Sequence, residues 1–362
     1  MKLKLIIIFI LLISGVSLNA YSDEIKFEKG SFAEVLALAK EQNKIVMIDL
    51  YTDWCKWCVE LDNFVYTDLE VAKFANENQI NWKIDAEKGE GPDLAQKYNV
   101  SGYPTILFVD YLGTEVDRIV GYFPAAPFLK SMKEIVDGSN SMITLKRKLV
   151  ENPNDIEANF KFAEKVLNYG NSEEAKTYFR KVMELDKDNQ SGYADDAELY
   201  NAMFTGKSEE IEKWIQKFPN SNMLKSAYSM VAETAFMENN DYPKARKYYD
   251  LAFEKFGRND DELNFSYTQF LLTKMYSVYK NEKAAQDDIE ATLKCADECL
   301  TLVKGSINEG SVYYYQSEFY MRLGDFDNAI KAIDGALAIH NKKTYQEQKD
   351  KILKKRDSKS LK

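Results

Sequence analysis

Cysteine and histidine are scarce in this chain, with four Cys and one His among 362 residues. So few cysteines in so long a chain exclude a small scaffold held together by disulfides. The lone histidine, His340, leaves little for a metal centre, because zinc needs four ligands drawn from Cys, His or carboxylate. Positive charge is also in deficit. The formal net charge of −10 argues against a nucleic-acid partner. Past the first 20 residues there is no apolar run long enough to cross a bilayer. Proline is sparse, seven in all, and it becomes rare together with strand-like runs after residue 141. The length exceeds what one hydrophobic core serves and suits two or three domains.

The first 20 residues have a composition of their own. Lys2 and Lys4 give a short positive region, Leu5 to Ile13 are continuously apolar, and Ser14 to Ala20 relax towards small residues. This is the layout of a secretory signal peptide cut after Ala20, although Leu18 is large for its place before the cut. A retained anchor is the other reading, but the run falls short of the ~20 residues that span a bilayer. No cysteine follows the run, so a lipoprotein anchor is not suggested. The expectation is an exported, soluble mature chain, periplasmic or otherwise outside the cytoplasm, where disulfide chemistry is permitted.

Chemistry concentrates in Trp54-Cys55-Lys56-Trp57-Cys58. Two cysteines at this spacing can be a redox pair, half of a metal site or a structural staple. The surrounding pattern predicts a helix from Ser31 to Gln42 and a buried strand from Lys44 to Tyr51. The strand's one charged member after Lys44 is Asp49. A carboxylate there must be hydrogen-bonded, hydrated or functional. Helices are expected at about Cys58 to Tyr66, Leu69 to Glu77, Pro92 to Tyr98 and Pro127 to Val136. Strands are expected at Ile80 to Ile84, Tyr103 to Val109 and Glu115 to Val120. Such an order describes a central sheet flanked by helices.

From about Phe27 to Val136 the chain resembles the thioredoxin-like superfamily. The resemblance rests on Asp49 six residues before Cys55, on Trp54 and the CxxC after the strand, and on Gly102-Tyr103-Pro104-Thr105. Gly113 and Gly121, in and just beyond the terminal hairpin, add to it. Lys56-Trp57 replaces the usual Gly-Pro, Asn81 stands where a buried lysine is expected, and Glu87 to Gly91 form an acidic insertion. These departures look more like exported bacterial members, including the C-terminal domains of transmembrane disulfide reductases. The resemblance implies a cis Pro104 and an exposed Cys55 at a helix N-terminus as attacking thiolate. It further implies a partly buried Cys58 as the resolving thiol and Asp49 as its proton acceptor. Trp54, Trp57 and Tyr103 would line the substrate groove, with packing as the alternative for the last two. Lys56 would favour the thiolate.

After a linker at Asp137 to Ser141 the sequence turns helical. Asn171-Ser172-Glu173-Glu174-Ala175 is echoed at Asn240 to Ala245 and again at Gly324 to Ala329. Weaker copies start at Gly206 and Asn281. Ala175 to Ile211 is 36 residues and Ile211 to Ala245 is 34. This is similar to tetratricopeptide repeats, with about five units from Met142 to His340. Tyrosines such as Tyr313, Tyr314 and Tyr315 could line a peptide-binding face or pack helix pairs, and packing is favoured for most. Cys295 and Cys299 share one helical face and read as small buried residues rather than a second redox pair. His340 reads as a surface or interface residue, and the lysine-rich end as a frayed, solvated tail.

The expected architecture is therefore an α/β thioredoxin-like domain followed by an all-α tetratricopeptide-like solenoid. The segments are 1–20 signal peptide, 21–137 thioredoxin-like domain, 138–141 linker, 142–345 helical repeats and 346–362 basic tail. The expected function is protein-disulfide reduction or isomerisation by Cys55 and Cys58, with no organic cofactor and no metal. The partners would be a thiol or disulfide protein substrate, a resetting redox partner, and a peptide or protein held by the repeats. The alternative is a repeat-based protein-binding scaffold whose thioredoxin-like module turns over little.

Overall fold

A computed structural model describes residues 24–360; the expected signal peptide at 1–20 lies outside the described residues. The first domain opens with α1 (Phe32–Gln42). Ser31 caps it reciprocally with Glu34, each side chain bonding the other's backbone N–H, and the helix ends at Asn43 in the left-handed conformation. Then come β1 (Val46–Tyr51), α2 (Lys56–Glu60), α3 (Leu69–Asn78), β2 (Ile80–Asp85), α4 (Gly91–Lys97), β3 (Thr105–Val109), β4 (Glu115–Val120) and α5 (Ala125–Val136). The sheet order is β2-β1-β3-β4, with β1 parallel to β2 and antiparallel to β3.

Both faces of β1 are covered, as its continuous apolar character requires. Val46, Ile48 and Leu50 pack with Val35, Ala39 and Leu94 from α1 and α4. Met47 packs on the other face with Val71, Phe128 and Met132 from α3 and α5. Strand alternation puts Asp49 on the Met47 side. Gly91 opens α4 because only glycine fits: a Cβ there would stand 1.9 Å from the Asp85 carbonyl oxygen.

One helix departs from expectation. The segment predicted as a single helix over Cys58 to Tyr66 starts earlier, at Lys56, and loosens after Glu60 into a π-turn over Leu61–Val65. There the Tyr66 N–H reaches the Leu61 carbonyl at 2.8 Å.

The remainder is helical: α6 (Met142–Glu151), α7 (Ile156–Asn168), α8 (Ser172–Leu185), α9 (Ala194–Met203), α10 (Ser208–Lys217) and α11 (Leu224–Asn239). It continues through α12 (Tyr242–Phe256), α13 (Asp261–Lys280), α14 (Gln286–Leu302), α15 (Ile307–Leu323), α16 (Phe326–Ile339) and α17 (Lys343–Ser360). The repeated turn motif has a physical cause. Asn171, Asp241 and Asp325 each cap the second helix of a hairpin, accepting from the N–H of Glu174, Lys244 and Asn328. Four residues on, Ala175, Ala245 and Ala329 are fully buried where the helices meet. The two weaker copies lack the device: Lys207 and Ala285 stand at the cap positions of α10 and α14 and make no side-chain cap bond. Many tyrosines pack, Tyr249 and Tyr267 at the centre of the largest cluster.

The lysine-rich end, expected to fray from Lys351, stays helical to Ser360. It belongs to α17, whose Tyr345 and Ile352 are buried against α15 and α16, while Gln348 and Lys351 both donate to Glu318. The apolar spacing of those two residues was hidden among lysines.

The two parts are joined by more than the linker. Asp117 of β4 is fully buried and accepts from the Tyr169 hydroxyl and from the Met142 N–H at 2.9 Å. Lys165 Nζ lies 2.7 Å from the same carboxylate. The far end of the array returns to the first domain, where α15 contacts α2.

Candidate functional site

Cys55 is the N-cap of α2, and its Sγ accepts the Cys58 N–H at 3.1 Å. A free helix-end amide is thereby aimed at the sulfur, an arrangement that stabilises negative charge. The two cysteines form a disulfide. Cys58 is buried, not partly exposed. Cys55 was expected to be exposed but is only 4% so, because its sulfur is turned inward onto Cys58.

The flanking tryptophans part company. Trp54 is 68% exposed; its Nε1 donates to Glu87 at 3.0 Å and its ring meets Tyr103 edge-on at 6.0 Å. The acidic insertion thus supports this rim. Trp57 turns the other way, lying 5.3 Å from the Tyr122 ring and 6.3 Å from Phe265 of α13. Lys56 Nζ donates to Asn308 of α15. Burial lowers the Lys56 pKa, with Glu60 opposing. The helix that carries the cysteines is therefore covered on one side by the repeats.

The Tyr103–Pro104 peptide is cis and Pro104 is buried. Its carbonyl accepts from the Gly121 N–H at 2.9 Å, and the Thr105 hydroxyl donates to the Gly102 carbonyl at 2.8 Å.

The residue expected to stand in for a buried lysine needs correction. Asn81 does not face Asp49; it pairs with Met47 across the ladder and accepts from Gln79 at 2.8 Å. Two residues along, Lys83 pairs with Asp49, and its Nζ lies 3.0 Å from Asp49 Oδ2. Lys83 also bridges to Asp62, one helical turn beyond Cys58, and sits 5.6 Å over the Tyr66 ring. A chain of contacts therefore leads from the cysteine helix to the buried acid. Burial holds the Asp49 carboxyl above its ordinary pKa, with Lys83 opposing. Burial pulls the Lys83 pKa down, but Asp49 and Asp62 outweigh it and leave it raised. Asp62 and Tyr66 gave no sequence signal of their own, whereas Lys83 could have been found by aligning the two strands.

The repeat cysteines lie elsewhere. Cys295 and Cys299 are buried and unbridged in α14. Burial pushes the Cys299 thiol up to about 12, and Tyr242 lies 2.8 Å from Cys295 Sγ. Neither thiol is set up as a nucleophile near neutral pH. His340 is the C-cap of α16.

Comparison with known proteins fits this layout. Residues 32–135 match the model of a thioredoxin-like domain, and 167–189 and 310–342 match the tetratricopeptide repeat. A thiol:disulfide interchange protein DsbD of Yersinia pestis (strain Pestoides F) is 39% identical over 99 residues. That match takes in 26% of this chain and 17% of the relative's length. A candidate disulphide-isomerase from Bacteroides thetaiotaomicron, solved in solution, is 41% identical over 32% of this chain and 97% of its own, with a TM-score of 0.30. A thioredoxin from Thermus thermophilus is 30% identical over 31% of this chain and 87% of its own, with a TM-score of 0.29. Among the described residues no helix is long and apolar enough to cross a membrane.

Proposed function

Residues 32–135 form a thioredoxin-like domain and the array behind them carries tetratricopeptide repeats; on that premise we propose that the chain is an exported thiol–disulfide oxidoreductase, a protein-disulfide reductase or isomerase working through Cys55 and Cys58. The observation that carries this reading is the sulfur pair itself, bridged at the head of α2 with the Cys58 N–H on Cys55 Sγ.

In the reduced pair the Cys55 sulfur is the thiolate. It attacks one sulfur of a substrate disulfide, forms an S–S bond to it and expels the other sulfur as a thiolate, which takes a proton from water. Cys58 then loses its proton towards Asp49, whose affinity for a proton is raised by burial. The Cys58 thiolate attacks Cys55 Sγ, the bond to substrate breaks, and the second substrate sulfur leaves as a thiolate. Two electrons have passed from the cysteine pair to the substrate, and a separate dithiol must return them. Trp54 and Tyr103, beside cis Pro104, offer the open rim to substrate.

Direction is tested by the reduction potential of the Cys55–Cys58 pair. A value near about −270 mV supports reduction, and one near about −120 mV overturns it in favour of oxidation. The second reading, a repeat-based scaffold with little turnover, draws on the contacts of Lys56 and Trp57 with Asn308 and Phe265. It requires partner binding that survives replacement of both cysteines.

A further inference from the structure

The covered side of the cysteine helix is not filled. A cavity of about 400 Å³ lies between the two parts of the molecule, walled by Tyr122, Phe123 and Pro124 on one side and Met230, Leu263 and Phe265 on the other. A second cavity of about 230 Å³ continues from it beneath Trp57. Tyr122 and Phe265, with ring centroids 5.4 Å apart, line both, so the two spaces are one cleft divided by an aromatic ridge. The cleft ends at the residue preceding Cys58.

We infer that this cleft is a peptide-binding groove shared by the thioredoxin-like domain and the repeats, and that it takes an extended segment of a disulfide-bearing protein, with apolar side chains for the ridge and at least one basic side chain. The inference rests on the thiol–disulfide reading of Cys55 and Cys58. The position, charge and size of the cleft carry it.

The cleft reaches Trp57 and Glu60 of the helix that carries the cysteines, so a segment lying in it is held beside the redox pair. Cys55 is only 4% exposed, which a broad folded surface cannot reach and a slender strand can. The charge is one-sided. Glu233, Asp261 and Glu262 line the cleft, and the cation among its lining residues, Lys225, is already paired with Asp260 and Glu262. The combined space holds several side chains and is within the range of ordinary ligand sites. Met230 and Phe265, both half-buried, give it an adaptable apolar floor.

The test uses the full oxidised chain and two fluorescein-labelled peptides of about ten residues without cysteine. One carries Leu, Phe and Lys, and the other has Glu in place of Lys. Fluorescence anisotropy should show the Lys peptide binding at least about tenfold more tightly at low salt. Phe265→Ala, and separately the partly exposed Met230→Ser should Phe265→Ala fail to fold, should weaken it at least about fivefold, and Glu233→Lys should remove the preference for Lys. No binding, or binding indifferent to these substitutions, overturns the groove whatever the chain does with thiols. Thiol release from a small disulfide, oxidised glutathione, is read in parallel on the reduced chain. Its absence alongside intact peptide binding overturns the redox reading and leaves the groove supported.

Discussion

Lys83 Nζ stands 3.0 Å from Asp49 Oδ2 because the two residues are partners across the parallel β1–β2 ladder. The register fixes the pair, and Asp62 ties its ammonium to the helix that carries Cys58.

Asp49 sets a pH dependence whose sign follows from burial. Its folded pKa is raised, so as pH climbs above the unfolded carboxyl value of about 3.9 the folded state must give up a proton it holds more tightly, and stability falls. Asp49→Asn should therefore be more stable than the parent at pH 8, with the advantage fading towards about pH 4. Lys83 keeps Asp62 as a partner in that variant. Urea denaturation across pH checks it, and a variant less stable at pH 8 contradicts it.

Lys56→Met should move Cys55 reactivity to higher pH. The substitution removes the cation next in sequence to the attacking cysteine and so disfavours its thiolate. The measurement is the pH profile of iodoacetamide alkylation of Cys55 in the reduced Cys58→Ala chain. An unmoved profile would mean that Asn308 holds the ammonium too far away to matter.

Asp117→Ala should loosen the joint between the two parts. The buried carboxylate is shared by Lys165, the Tyr169 hydroxyl and the Met142 N–H, and its loss strands all three. Breaking a buried pair in this way costs roughly 3–5 kcal/mol. Limited proteolysis should show faster cleavage near the 138–141 linker as well as a lower melting temperature.

What the sequence disclosed was mostly local. The α1 helix, the β4 span and the Asn/Asp-to-Ala spacing of the repeats each depend on neighbours a few residues apart. The Asp49 partner was misplaced onto Asn81 because strand register is set between segments and not within either one. Phe265 and Asn308 were invisible for a stronger form of the same reason. Lys56 and Asn308 are 252 residues apart, and only the path of the whole array brings them together. The helical end from Lys343 was hidden by its charge, since two buried side chains, Tyr345 and Ile352, anchor a segment that is otherwise polar.

Ala245→Leu tests the packing of the repeats. Ala245 is fully buried where α12 crosses α11, and a larger side chain there forces the helices apart. Overpacking of this kind costs typically about 1–3 kcal/mol. The loss should appear in helical melting followed by circular dichroism, whereas an unchanged melt would mean that the hairpin is looser than its burial indicates.

The central claim is that Cys55 attacks and Cys58 resolves. Its most direct measurement is mass spectrometry of disulfide-linked adducts after the reduced Cys58→Ala chain meets a peptide disulfide. The account predicts a stable mixed disulfide on Cys55, absent from Cys55→Ser and released at once by the parent chain. No adduct on Cys55, or an equal adduct on Cys295 or Cys299, would contradict it.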